Sequence, residues 1–250
     1  MKTLNSTTSY ITEHLYYPLE VPIHEYIVNK WSVPFLLAIF FGGCAIIMAA
    51  TVMFVDRAHN HLPATEKAAI WWLVISGTIH LFFEGKFLTD SKGYFSLNHF
   101  QMGPAQDLFG QLWKEYAFSD SRYLTSDPFV LCMETVTAFT WGPLCFVVAY
   151  MVTNNHALRH PLQIIVTVGQ IYGLILYYAT SMFDHYYKEV TYSRPEFLYF
   201  WFYYFFMNFI WMVFPGILLV SSVRKIANAF NTLDKINGKK YTNGSAKKQL

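Results

Sequence analysis

Five stretches of the chain run for about 20 residues or more on apolar side chains, roughly Val33 to Val55, Ala68 to Leu88, Pro128 to Val152, Pro161 to Phe183 and Phe197 to Val220. A bilayer core is crossed by about 20 residues of helix, so the pattern predicts five transmembrane helices. The first, fourth and fifth stretches carry no charged residue. Residues 1–32 lack an apolar core of signal-peptide type and hold Glu13, Glu20 and Glu25 among aromatics and prolines, which suits an interfacial segment with no cleaved leader. Residues 33–222 then form the five-helix domain and residues 223–250 a basic tail.

Composition agrees with lipid as the solvent. The 250 residues are 54% hydrophobic, 19% aromatic and only 14% charged, against about a quarter charged in a soluble domain. Disorder, collagen and a disulfide scaffold are excluded. The net charge of +2 gives no reason to expect nucleic acid as a partner. Cys44, Cys132 and Cys145 are far apart with no metal-ligand spacing and read as small buried hydrophobes.

Five spans put the termini on opposite sides. The tail carries Arg224, Lys225, Lys235, Lys239, Lys240, Lys247 and Lys248 against Asp234, which favours a cytosolic tail. Lys247-Lys248-Gln249-Leu250 has the form of a di-lysine retrieval signal, which acts in the cytosol and returns proteins to the endoplasmic reticulum. Of two glycosylation sequons, Asn5-Ser6-Thr7 and Asn243-Gly244-Ser245, this topology allows modification of the first alone.

Ionisable groups within a span cost about 2.5–3.5 kcal/mol each on insertion scales and need a reason. Lys86, near a span end, is read as snorkelling to the interface. His80 and Glu84 stand i, i+4 on one face of the second span, and Glu134 lies in the third. At 1.5 Å rise per residue, Glu84 lies roughly 6 Å, Glu134 about 9 Å, His80 roughly 12 Å and Asn208 about 17 Å from one membrane face. Thr137 and Trp141 share a face with Glu134, and Trp211 shares one with Asn208. These groups predict a site of acids, imidazole, amide, hydroxyl and indole in a lipid-accessible cavity. With no redox pair, nucleotide loop or thiol nucleophile, acid–base chemistry remains. A buried carboxylic acid can hold a proton at neutral pH, histidine can pass or orient it, and an indole face stabilises a cation. A membrane-dissolved isoprenoid protonated at one carbon and deprotonated at another fits this set. A structural or ligand-binding polar core fits the residues equally well.

Other polar and aromatic positions have two readings as well. Gln170 and Tyr172 in the fourth span are candidates for ligand contact or for bonding between helices. In the run Tyr199 to Phe206, Tyr204 is taken as a pocket residue while most of the others face lipid or neighbouring helices. Pro143 and Pro215 read as helix bends, and Gly142 and Gly216 as points of close helix approach. Gly42, Gly43 and Ala45 would suit a homodimer or contacts within one bundle.

Several strings resemble the emopamil-binding protein family, the sterol Δ8–Δ7 isomerases. They are Gly77 to Gly85 (GTIHLFFEG), Gln111 to Tyr116 (QLWKEY), Asp120 to Tyr123 (DSRY), Cys132 to Thr137 (CMETVT), Trp141 to Leu144 (WGPL) and Val168 to Gly173 (VGQIYG). Tyr199 to Tyr203 (YFWFY) follows, with Met207-Asn208, Trp211 and Pro215-Gly216. Order and spacing match through nearly all of residues 33–222. The resemblance implies an all-α membrane protein, a bundle of five transmembrane helices with an intramembrane sterol cavity in the endoplasmic reticulum. It implies a sterol substrate protonated at C9 and deprotonated at C7 through a carbocation at C8, with no cofactor and no metal.

The family's essential residues correspond to His80, Glu84, Glu134, Thr137, Asn208 and Trp211. His80 and Glu84 would handle protons as a pair, Glu134 would be the second acid–base group, Trp211 would shield the cation, and Asn208 and Thr137 would orient carboxyl groups or the nearby reacting centre. Arg122 and Tyr123 match with a less defined role, with Arg122 paired to Asp120 or Glu115. Cationic amine inhibitors are expected to bind such an apolar, acid-lined cavity. The segment from Lys86 to Gly110 is longer than the family's usual connection. A sterol- or amine-binding protein without turnover, and an isomerase or cyclase of another polycyclic isoprenoid, are the alternatives.

Overall fold

The computed structural model describes residues 14–85, 102–125 and 127–246, with side chains to residue 237. Lys86, the connection 86–101, the Asn5 sequon, the side chain of Asn243 and the terminal Lys247–Leu250 lie outside the described residues.

Among those residues every regular element is helical. They are α1 (Val33–Ala58), α2 (Ala64–Thr78) continued by a π-helical turn (Ile79–Glu84), α3 (Leu108–Tyr116) and a 3-10 turn (Ser121–Leu124). After them come α4 (Pro128–Val136), a π turn (Thr137–Trp141), α5 (Gly142–Thr153), α6 (Arg159–Tyr187), a π segment (Leu198–Met207) and α7 (Asn208–Ala246). Four continuous helices are long and apolar enough to cross a membrane: Val33–Ala58, Pro128–Thr153, Arg159–Tyr187 and Leu198–Asn237. The run from Ala64 to Glu84, which holds Glu66, Lys67 and Glu84, completes the five-helix bundle.

The protein wears its apolar side chains outward. Phe41, Ile46, Met53 and Phe54 of α1 are exposed, and so are Trp201, Phe205 and Phe206. Ser76, His80, Gln163, Thr167 and Gln170 are buried. Apolar surface around a polar interior is what lipid selects. Cysteine placement departs from expectation: Cys145 is buried, but Cys44 is half-buried and Cys132 faces outward, because a thiol is apolar enough to meet lipid.

Local chemistry starts and stops these helices. Pro143 enters α5 just after the π turn, where the missing proline N–H removes one rung of the ladder and the widened turn absorbs the loss. Gly77 and Gly142 bring α2 and α5 into backbone contact: a Cβ on Gly77 would stand 3.1 Å from the Gly142 carbonyl, and one on Gly142 would stand 3.0 Å from Leu81 N. Gly216, by contrast, faces open space, so it does not mediate a close crossing within this bundle. Gly42 and Gly43 are equally open.

Each membrane face has its own polar fastening. At one, Glu66 at the start of α2 receives Arg159 from the start of α6 and Lys225 from α7. At the other, Asp120 caps the 3-10 turn and forks onto Arg122, which reaches Thr180 of α6 at 2.9 Å. The described part of the N-terminal segment straps α3. Tyr16 donates to the Lys114 carbonyl, Lys114 donates to the Ile27 carbonyl, and Gln111 accepts from Lys30 N and Trp31 N.

Candidate active site

A cavity of about 1150 Å³, its mouth included, opens between α1, the end of α2, α3, α4, α6 and the start of α7. Its wall on α1 is Leu36, Leu37, Phe40 and Phe41. Of the residues singled out in the sequence, His80, Glu84, Tyr123, Glu134, Thr137, Trp141, Gln170, Asn208 and Trp211 line it.

The three π segments carry much of this lining. His80 and Glu84 sit in the first, Thr137 and Trp141 in the second, and Tyr203 and Met207 in the third with Asn208 at its exit. Widened turns free backbone carbonyls, and side chains take them up. Asn208 donates to the carbonyls of Tyr203 and Tyr204 at 3.2 and 2.8 Å, and to the Tyr116 hydroxyl at 2.9 Å. Thr137 donates to the Met133 carbonyl one turn back.

His80 is buried and fully engaged. Its Nδ1 lies 2.9 and 3.0 Å from the two Glu84 oxygens. Its Nε2 faces the Trp211 indole N–H at 3.1 Å and the Gln170 amide at 3.2 Å. Ser76, one turn before His80, accepts from Gln170 and from Trp211. Glu134 comes from the opposite helix. Its Oε1 accepts from the Tyr123 hydroxyl at 2.9 Å, and its carboxyl group lies within hydrogen-bonding reach of that of Glu84. Two acids from separate spans therefore meet in one hollow beside an imidazole.

Three expected residues are not brought to the cavity. Arg122 is buried in its pair with Asp120, between the rings of Tyr177 and Tyr192, and holds the loop to α6. Tyr172 is 62% exposed because it shares a turn with Gln170 but points from the outer face of α6. Tyr204 is buried against Tyr177 and Tyr178, behind the wall that Tyr203 forms. The sequence reading also passed over Ser76, Trp113, Tyr116 and Tyr203. A serine four residues before His80 and the Gln111–Tyr116 string were the available signals. Trp113 stacks on Phe83 at 4.8 Å and closes the cavity beside the end of α2.

Residues 108–222 match the family model described as EXPERA (EXPanded EBP superfamily). The chain is 35% identical over 229 residues to the 3-beta-hydroxysteroid-Delta(8),Delta(7)-isomerase of Rattus norvegicus, which covers 91% of this chain and 95% of that protein. The proteins of the same name from Cavia porcellus and Mus musculus are 33% and 34% identical, over 92% and 91% of this chain and 96% and 95% of their own lengths.

Proposed function

The chain belongs to the family of the 3-beta-hydroxysteroid-Delta(8),Delta(7)-isomerases, and from that premise we propose that it shifts the Δ8 double bond of a 3β-hydroxysterol to Δ7 within the membrane. The observation that carries this reading is the meeting of Glu84 and Glu134, from different spans, beside His80 in a cavity walled by apolar side chains. A hydrogen bond between two carboxyl groups needs one proton between them, so the pair holds an acid and a base together.

The chemistry follows from that state. The protonated carboxyl adds its proton to C9, and the π electrons of the C8–C9 bond form the new C–H bond. C8 becomes a tertiary cation. The carboxylate then removes a proton from C7, and those C–H electrons become the C7–C8 double bond. The proton passes back across the Glu84–Glu134 contact, so the pair is restored without any co-reactant. His80, as the neutral imidazole, holds Glu84 through Nδ1–H. The ring faces of Trp211 and Trp141 stabilise the cation through their quadrupoles. Asn208 and Tyr123 fix the wall and the Glu134 carboxyl. Cationic amines, which resemble the C8 cation, bind in the same place as inhibitors.

The domain boundaries 1–32, 33–222 and 223–250, residence in the endoplasmic reticulum and a cytosolic tail belong to the same proposal. Glycosylation mapping tests the orientation: a glycan on Asn243 inverts it. The activity is tested by expression in a strain lacking sterol Δ8–Δ7 isomerase, with sterols separated by gas chromatography. Conversion of 8-ene to 7-ene sterol is the expected result, and its absence from membranes that hold the protein rejects the reading.

A further inference from the structure

The cavity has a second polar pole that the isomerisation chemistry leaves unused. Glu115 of α3 is 5% exposed and lines the cavity. The Tyr203 hydroxyl, also in the lining, donates to its Oε1 at 3.2 Å. Among the described residues this is the one side-chain hydrogen bond to that carboxyl group, which has lone-pair sites for several. Burial pushes the acid above its ordinary range, with Tyr203 and the charge of Arg194 pulling the other way.

The position of this pole matters as much as its chemistry. α3 lies between the end of α2 and the start of α4, at the membrane face where both turn. Tyr116, next to Glu115, accepts from Asn208, so the pole adjoins the acid–base cluster. The apolar α1 wall of Leu36, Leu37, Phe40 and Phe41 completes the cavity. A sterol has the same order of parts: a hydroxyl at one end of a rigid ring system, the reacting double bond in the middle, and an alkyl tail. In a bilayer its hydroxyl lies toward the water.

We propose that Glu115 is a specificity-determining residue that binds the 3β-hydroxyl of the sterol, and that Tyr203 positions its carboxyl group. This rests on the sterol reading above. A hydroxyl donates and accepts, so it pairs with the carboxyl group in either protonation state. Anchored there, the rigid ring system places C7 to C9 against Glu84 and Glu134.

The test uses the full chain in detergent with two probes, a 3β-hydroxy 8-ene sterol and its 3-deoxy counterpart, measuring binding and turnover of each. Wild type should favour the hydroxy sterol by about tenfold, the value of one hydrogen bond. Glu115→Leu should bring that ratio close to one while binding of the 3-deoxy sterol holds, and Tyr203→Phe should narrow it. If Glu115→Leu does not fold, as read by its thermal midpoint in detergent, Glu115→Ala and Tyr203→Phe decide by the same ratio. Equal binding of both probes by wild type, or variants that weaken both equally, overturns the inference. A wild type that discriminates in binding yet converts neither probe rejects the isomerase reading and leaves the anchor standing.

Discussion

The Trp211 indole N–H meets Nε2 of His80 at 3.1 Å, and this contact between α7 and the end of α2 selects one histidine tautomer. An indole can only donate. Nε2 must therefore accept, and Nδ1 carries the hydrogen that faces Glu84. The Gln170 amide, donating to the same Nε2, reinforces the choice. Trp211 thus has an electronic face for the cavity and an edge that sets the acid–base pair.

Trp211→Phe separates these two roles. It keeps an aromatic face and removes the donor. Turnover should fall about 10- to 100-fold, less than the 10²–10⁴ or so ascribed to a positioned acid–base group itself, while cationic amine affinity changes little. Trp211→Ala should lose both. Full turnover by the phenylalanine variant in microsomal assays would mean the tautomer does not limit the reaction.

Glu134→Gln keeps the shape and an acceptor for Tyr123 but cannot exchange a proton. Isomerisation should drop at least about a hundredfold with normal delivery to the membrane, assayed by sterol profile and immunoblot. Wild-type reaction in deuterated water should place deuterium at C9, since the carboxyl pair exchanges between turnovers. Unlabelled product would contradict protonation from an exchangeable acid.

How much of this was legible in the sequence depends on which force set each position. The five spans follow from apolar run length, and the His80–Glu84 pair follows from i, i+4 spacing, which a π turn preserves. The π segments themselves leave no periodic signature, so the facing of the Tyr199–Phe206 run was not readable. Tyr203 rather than Tyr204 reaches the cavity because ten residues there follow a wider helix. Tyr172 was misplaced for a different reason: two residues along a helix from Gln170 is nearly the opposite face, and adjacency in a motif says nothing of that. Arg122 shows the third limit, since a charged residue beside a site can be spent wholly on structure.

Gly169 controls the width of the cavity. A Cβ there would stand 2.4 Å from Cζ2 of the Trp141 indole, so Gly169→Ala must displace that ring. Overpacking of this kind costs about 1–3 kcal/mol. The thermal midpoint in detergent should fall and KM for sterol should rise. Adding Trp141→Leu to Gly169→Ala should recover stability, and a double variant no better than the single would show that the strain lies elsewhere.

Arg122→Gln tests the loop that carries Tyr123 to Glu134. Asp120 is completely buried and its oxygens are held by Arg122. Removing one partner of a buried ion pair strands the other charge, at about 3–5 kcal/mol. The variant should be poorly stable, while Arg122→Gln with Asp120→Asn should regain much of the loss. Measured by thermal unfolding, a single variant within about 0.5 kcal/mol of wild type would deny the pair this role.

Lys114 provides a pH test of the strap over α3. Burial, opposed by the charge of Asp107, lowers its ammonium from 10.5 to about 8. Below pH 8 the group is charged in both states, and the folded chain bears the full cost of burying it. Between pH 8 and 10.5 the unfolded chain binds this proton and the folded chain does not, so this residue's contribution to stability rises with pH across that window. Lys114→Met has no such proton to lose. The thermal midpoint of wild type minus that of Lys114→Met should therefore climb from pH 8 toward 10.5 and level off on either side. Taking the difference cancels the tyrosines, which titrate in both proteins. The Ile27 carbonyl, left without Lys114, belongs to a half-exposed residue that water can reach. A difference that stays flat from pH 8 to 10.5 would mean that Lys114 keeps its ordinary affinity for the proton beneath the N-terminal strap.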